Sequence, residues 1–439
     1  MTYQKINLKD RDLYLNRLIA FQDKDIVKVV TGIRRCGKSS LLKLMALHLQ
    51  KSGITSEQII EMNFESMEFF GMNNIQFYQY VKEKLVKDKT MYLFFDEIQR
   101  VTDWQTAVNS FRVDFPCDIY ITGSNAFLLS SELSTYLSGR YVEIKMYPLS
   151  FKEFIDFHGY SLVTRKSPDG NTRKRIFNES GDFDTRELFN AYLKYGGMPV
   201  LSDIGLEQDK VIAILDGVYS TVVIRDILER ERRKGQRAIT DPLLLRRIIM
   251  FLADNIGNNT SISSIGNILV NEGLLDEGNR KTKPATHTVQ SYITSLVDSY
   301  IFYEIKRFDI KGKAYLRTLG KYYIVDTGLR NYLLGFREGD TGHIIENIIY
   351  FELLRRGYDV AIGKMDQKEI DFIATKADEK KYIQVTESML SPETRDRELS
   401  PLQKIRDYYE KIIITLEYDF TQTQDGIKIV NILDYLLSE

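Results

Sequence analysis

The stretch "GIRRCGKS", Gly32 to Ser39, constrains this chain more than any other. It follows a continuous apolar, β-branched run, "DIVKVVTG", and leads into a helical pattern, "SSLLKLMALHLQKSG", which Gly53 ends. Strand, glycine-rich loop and helix N-terminus in that order satisfy G-x-x-x-x-G-K-[ST] in the context the motif requires. Gly32 and Gly37 let the backbone curl, so that successive N–H groups face a phosphate at the positive end of a helix. Lys38 is expected to reach the β- and γ-phosphates of ATP. Ser39 is expected on Mg²⁺, with Ser40 also among the nucleotide-binding residues. Arg34 and Arg35 decorate the loop's outer face in this reading, and Cys36 is a small filler.

"MYLFFDEIQ" supplies the second half of such a site. Its apolar run buries a strand whose end presents Asp96, to hold Mg²⁺ through water, and Glu97, to polarise the attacking water. In "CDIYITGSNAFLLS", Ser124 and Asn125 end another strand near the γ-phosphate, where they either orient water or cap the following helix. Between these motifs, "QIIEMNFES", "NIQFYQYVKEKLVK", "WQTAVNSFRVDF" and "RYVEIKMYPLS" continue the alternation of strand and helix. The fold class is therefore α/β, a parallel sheet covered on both faces, over residues 1–160.

A chain of 439 residues has room for roughly three domains. Its net charge of -1 offers nucleic acid no global attraction, so such binding needs local patches. Two cysteines, Cys36 and Cys117, make neither a disulfide framework nor a metal spacing. The charged N-terminus has no apolar core of a signal peptide, and no run approaches the ~20 apolar residues of a membrane span. A cytoplasmic location is expected.

Beyond the core, "YSLVTRKSPDGNTRKRIFNESGD" loses periodicity and reads as a surface insertion or lid loop. Helical patterns in "TRELFNAYLKYGGMP" and "VIAILDGVYSTVVIRDILERERRKG" complete a helical lid to residue 240. Residues 241–336 show three helical segments and a hairpin, "YIFYEIKRFDIKGKAYLRTLGKYYIVD", the pattern of a winged helix-turn-helix. Val289, Ile293, Leu296 and Val297 supply the buried face of its third helix. The wing carries Lys306, Arg307, Lys311, Lys313, Arg317 and Lys321 against Glu304 and Asp309, so it either tracks DNA phosphates or is simply solvated. Residues 337–439 mix helix and strand again.

The succession of P-loop, "FFDEIQ", "ITGSNA", "SGR" and "PLSFKEF" resembles the core of AAA-type ATPases. Together with "YGGMP", "YIVDTGLRNYLLG" and "EIDFIA", it is similar to bacterial and archaeal ATP-binding proteins with a C-terminal domain of unknown function. The resemblance implies that Lys38, Ser39, Asp96 and Glu97 are the Walker residues and that Asn125, or Ser124, is sensor 1. It further implies that Arg140 is an arginine finger, acting across a subunit boundary in a homo-oligomer; the other reading pairs Arg140 with Glu143 on the surface. Arg225 is the candidate for sensor 2.

The segment "EIDFIATKADEKKYIQVTES" resembles the hairpin of restriction-type, metal-dependent nucleases. Such a site needs a helix acid, for which Glu346 is placed, and a strand acid, for which Asp371 is placed. The second strand then offers Gln384 where an acid is expected and Thr386 where a lysine is expected. Gln384 could still ligate a metal through its amide oxygen, but without charge. Glu346 and Asp371 are thus expected to form a vestigial metal site in a domain that binds rather than cleaves. The resulting expectation is a Mg²⁺-dependent ATPase whose nucleotide state repositions its C-terminal half on DNA. The alternatives are a nucleotide-gated DNA-binding or signalling switch with slow turnover, and an ATP-dependent nuclease.

Overall fold

The computed structural model describes residues 8–438 except 124–138, 167–171, 222–226, 228–240, 272–283, 316–319, 366–367 and 418–422. Two compact units result, Met1–Tyr147 with Asp298–Tyr300, and Pro148–Val297 with Ile301–Glu439. The first contains α1 (Asp12–Ile19), β1 (Val27–Thr31), α2 (Lys38–Lys51), β2 (Ile59–Asn63) and α3 (Asn74–Glu83). It continues through β3 (Met91–Asp96), α4 (Trp104–Asp114), β4 (Cys117–Gly123) and β5 (Tyr141–Lys145). The strands form a sheet in the order β2-β3-β4-β1-β5, and every pairing is parallel.

β1 and β3 are buried throughout, as a parallel strand covered on both faces must be. One face is filled by aromatic rings: Phe77 of α3 meets Phe95 of β3 edge-on at 4.7 Å and Phe111 of α4 at 5.1 Å. Lys28, the second residue of β1, is fully buried because its ammonium is paired with the Asp118 carboxylate of β4 and donates to Lys24 O. Asp118 also accepts from Tyr120 Oη and from the backbone of Asp23.

The second unit begins with α5 (Phe151–Phe157), whose Phe151 and Phe154 pack on Phe189 and Tyr192 of α6 (Thr185–Tyr195). Between them lie β6 (Ser161–Lys166), β7 (Thr172–Asn178) and β8 (Gly181–Phe183), an antiparallel sheet. A loop was expected from the lack of apolar periodicity. The strands are instead held by their ladder and by charge, with Asp182 receiving both Arg165 (3.0 Å) and Arg175 (2.7 Å).

Next come α7 (Gln208–Tyr219), α8 (Pro242–Asp254), α9 (Ile262–Asn271) and α10 (Thr286–Asp298), then β9 (Phe302–Ile305), β10 (Arg307–Asp309), β11 (Ala314–Tyr315) and β12 (Lys321–Ile324). The expected single wing hairpin is divided. β9 and β12 pair with each other, whereas β10 pairs with β11 and runs parallel to β13 (Asp359–Met365). The final elements are α11 (Thr327–Leu334), α12 (Thr341–Arg355), β14 (Lys368–Lys376), β15 (Glu379–Thr386), α13 (Pro392–Gln403), β16 (Glu410–Thr415), β17 (Thr423–Gln424), β18 (Ile427–Asn431) and α14 (Ile432–Leu436). The large sheet has the order β11-β10-β13-β14-β15-β16-β18-β17. Ile373 of β14 joins Leu399 and Leu402 of α13 in one core, while Phe372 beside it stacks on Tyr350 of α12. Adjacent strand residues point to opposite faces, so both faces of this sheet are covered.

"YGGMP" and "VDTGLRN" meet at the end of α6. Asp326 accepts from Gly197 N (2.7 Å) and Leu329 N (3.1 Å), and Asn331 donates to Leu193 O and Lys194 O. The approach is close enough that a Cβ on Gly328 would lie 2.0 Å from Tyr195 O.

Candidate functional site

The P-loop joins the C-terminal end of β1 to α2, where orphan helix N–H groups are available for an anion. Gly37, the residue before the helix, has φ 103°, and Gly32 has φ 142° with space for no side chain: a Cβ there would lie 2.1 Å from Met146 O. These are the two positions where glycine was expected on steric grounds. Lys38 Nζ lies on the loop's own carbonyls, 2.9 Å from Gly32 O and 3.1 Å from Ile33 O. Ser39 and Ser40 are exposed in the first helical turn. Cys36 is buried, and burial pushes its thiol up, which suits a filler rather than a reactive group. Arg34 is 2.6 Å from Glu65, which also receives Arg100 at 3.0 Å.

A residue that sequence reasoning passed over supports the loop from behind. Arg11 is buried, donates to Cys36 O (2.9 Å) and to Tyr147 O, and lies over the Tyr14 ring. One guanidinium thus ties the P-loop to the end of β5.

Asp96 and Glu97 end β3, next to β4 in the sheet. Asp96 is held at both oxygens: Thr122 Oγ1 donates to Oδ1, and Asn63 Nδ2 donates to Oδ2 at 3.1 Å. The Thr122 hydroxyl simultaneously accepts from Glu97 N at 3.0 Å. Glu97 turns the chain in the left-handed region (φ 54°), and its carboxylate receives Gln99 Nε2. Neither Asn63 nor Thr122 was singled out in advance. The signal was present in "EMN" and "ITG": both are polar residues at the C-terminal ends of strands flanking β3, the edge where ligands of open α/β sheets bind.

Ser124, Asn125 and Arg225 lie outside the described residues. Arg140 is exposed and 3.3 Å from Asp25; Glu143 instead accepts from Thr31 Oγ1 and lies 3.5 Å from Lys145. The expected surface pairing with Glu143 is therefore replaced by one with Asp25. Arg140 precedes β5, and its carbonyl accepts from Val27 N at the start of β1. It stands at the end of the sheet away from the P-loop, separated by the five residues of β1, about 17 Å of strand.

Residues 24–155 match a family model described as AAA domain, and residues 186–340 match one described as Domain of unknown function (DUF8612). Over 432 residues the chain is 43% identical to an uncharacterized protein of Haemophilus influenzae, covering 97% of this chain and 98% of that one. The chain belongs to the family of that protein and carries an AAA domain. It is also 29% identical over 401 residues to the uncharacterized protein MJ1544 of Methanocaldococcus jannaschii, covering 90% and 80% of the two chains. Among solved structures it is similar to the Walker-type ATPase PABY2304 of Pyrococcus abyssi, at 15% identity and a TM-score of 0.47, covering 75% of this chain and 97% of that one. No helix among the described residues is long and apolar enough to cross a membrane.

Outside the AAA domain, the structure brings Glu346 and Asp371 together, and adds a cation to them. Lys321, at the start of β12, is only 4% exposed and lies 3.3 Å from Glu346 and 2.6 Å from Glu369. Burial works against its charge, yet Glu346, Asp371 and Glu369 outweigh that and hold the ammonium above its ordinary value. Burial, followed by the nearby Glu346, holds Asp371 well above the usual carboxylate range. Tyr323 donates to Glu346, and Asp371 Oδ2 accepts from Val385 N at 2.8 Å. Gln384 is turned away from metal ligation: its amide oxygen accepts from Asp371 N (2.8 Å) and its nitrogen donates to Glu398 (2.9 Å). Thr386 donates to Ser388 O. Among the described residues, no group of three His, Cys, Asp or Glu side chains is placed to hold a metal ion.

Two of the expected wing cations change role as a result. Lys321 is an internal ion-pair partner, and Arg307 is largely buried, 3.9 Å from Glu369. Lys306, Lys311 and Lys313 are exposed, and Arg317 lies outside the described residues.

Proposed function

We propose that this protein is a Mg²⁺-dependent ATP hydrolase whose nucleotide state repositions its C-terminal half. The observation that carries the reading is the bridge made by Thr122, which holds the Asp96 carboxylate and the Glu97 backbone together at the sheet edge that also carries the P-loop. The residues present fit Mg-ATP. Gly32 and Gly37 leave the loop backbone clear, Lys38 is within reach of a phosphate by leaving two carbonyls, and Ser39 with Asp96 offers oxygen donors of the hard type this cation takes. When bound, Mg²⁺ would neutralise charge on the phosphoryl oxygens. Asn63 and Thr122 keep Asp96 in one orientation, and Glu97 accepts or orients the proton of the attacking water. Asn125 completes the proposed water-positioning set.

In this reading Arg140 serves another subunit's site, because its own P-loop is at the far end of β1. The helices α8, α9 and α10 followed by β9 and β12 support a winged helix-turn-helix, and the α12–β13–β14–β15 succession supports a restriction-nuclease-like domain. Among the described residues, Lys306, Lys311 and Lys313 are the exposed wing cations proposed to meet DNA phosphates. The unpaired Cys36 and Cys117 suit a cytoplasmic setting. Phosphate release measured with and without DNA tests the proposal: turnover that DNA stimulates supports it, and absence of Mg-ATP turnover under both conditions overturns it.

A second reading, a nucleotide-gated switch with slow turnover, is favoured by one contact. Gln99 holds the Glu97 carboxylate, so the base must be released before it can meet water. A Gln99→Ala variant that hydrolyses ATP faster than the parent would identify this contact as the brake.

A further inference from the structure

The edge of the large sheet carries aromatic rings and ammonium groups that the nucleotide site does not use. Phe308 and Tyr315 are cross-strand partners on β10 and β11, with rings edge to face at 5.3 Å. Lys380, near the start of β15, places Nζ 5.9 Å from the Phe308 ring, 4.9 Å from Tyr382 and 5.3 Å from Tyr409. Tyr408 beside it is fully exposed, Tyr315 is 62% exposed and Tyr409 46%. Lys311 and Lys313, in the turn from β10 to β11, are exposed as well.

Three acids of this region accept from the protein's own donors. Asp309 accepts from Lys311 N, Asp407 accepts from Tyr382 Oη and Tyr409 N, and Glu379 accepts from Tyr358 Oη. Exposed tyrosine rings here lie among ammonium groups. Bare rings attract bases, since every base has a face to stack, and the neighbouring cations attract the phosphates that join them. A duplex hides its base faces and leaves the rings unused.

We propose that this strip binds single-stranded nucleic acid, with bases on Tyr315, Tyr408 and Tyr409 and phosphates on Lys311, Lys313 and Lys380. The proposal rests on the reading that the wing meets DNA, and narrows it to unpaired strands and to these side chains. Fluorescence anisotropy of the full chain with a labelled thymidine 20-mer, and with a duplex of equal length, tests it. The single strand is expected to bind more tightly. Tyr408→Ala combined with Tyr315→Ala should weaken it about 10-fold or more. Lys311→Gln with Lys313→Gln should flatten the plot of log affinity against log salt by about 1.4. All four side chains are exposed, and unchanged thermal unfolding is expected to accompany these losses. Duplex binding as tight as single-strand binding, lowered by the lysine variants and untouched by the tyrosine variants, overturns this inference and leaves the DNA reading standing. Binding of neither probe overturns both, as would a polypeptide partner that occupies the strip in their place.

Discussion

Thr122 shows how much of the proposed nucleotide site depends on one hydroxyl. It donates to Asp96 and accepts from the Glu97 backbone, so its loss would leave a buried N–H unsatisfied and Asp96 free to turn. Thr122→Val is expected to cost about 1–3 kcal/mol of stability in urea unfolding and to reduce ATP turnover, while Thr122→Ser recovers both. Equal turnover in parent and valine variant would remove Thr122 from the catalytic account. Lys28 is a comparable case in the core below. Replacing it with Met leaves the buried Asp118 carboxyl without its ammonium partner, at an expected cost of about 3–5 kcal/mol. At this scale the sequence was most legible where a local motif forces a conformation. The glycines at 32 and 37 could be placed because a loop of this kind needs positive φ and close backbone approach there. Thr122, Asn63 and Arg11 could not, since their partners lie 25 or more positions away.

Among elements, the junction of α6 with α11 is where charge and backbone meet. Asp326 is buried, and burial raises its pKa to about 6, against the backbone donors of Gly197, Leu329 and Gly328. A carboxyl that holds its proton more tightly when folded stabilises the folded state below its unfolded pKa. That contribution is lost as pH rises from about 4 through about 6. At about 1.4 kcal/mol per unit, roughly 3 kcal/mol separates the ends of this window. Asp326→Asn should flatten the rise in thermal midpoint between pH 6 and pH 4; an unchanged slope would show that other groups produce it. The strands β6, β7, β10 and β11 were the least legible elements. β6 and β7 carry charge where a half-buried strand carries apolar residues. β10 lies in the expected wing, yet its partner β13 follows some fifty residues later, beyond any local pattern. The same distant pairing explains Lys321: a wing cation by position became the counter-ion of Glu346 and Glu369 because β12 packs against α12 and β14.

For the whole molecule, the proposed role of Arg140 as an arginine finger would make assembly part of the chemistry. Because Arg140 stands at the end of the sheet remote from its own P-loop, the proposed finger would act on phosphoryl charge in a neighbouring copy. Arg140→Ala is expected to lower turnover by roughly 10³-fold. Mixing it with Lys38→Ala should restore part of the activity, because each variant supplies what the other lacks. Full activity of Arg140→Ala, or no recovery on mixing, would place the finger elsewhere. Mass measurement with and without ATP should show association driven by nucleotide.

The central claim is that this protein hydrolyses ATP with Glu97 acting on the attacking water. Steady-state phosphate release by the parent and by Glu97→Gln, alongside nucleotide binding by both, tests it most directly. Retained binding with turnover reduced about 10²-fold or more is the expected result. A Glu97→Gln protein that binds and turns over ATP at the parental rate would contradict it.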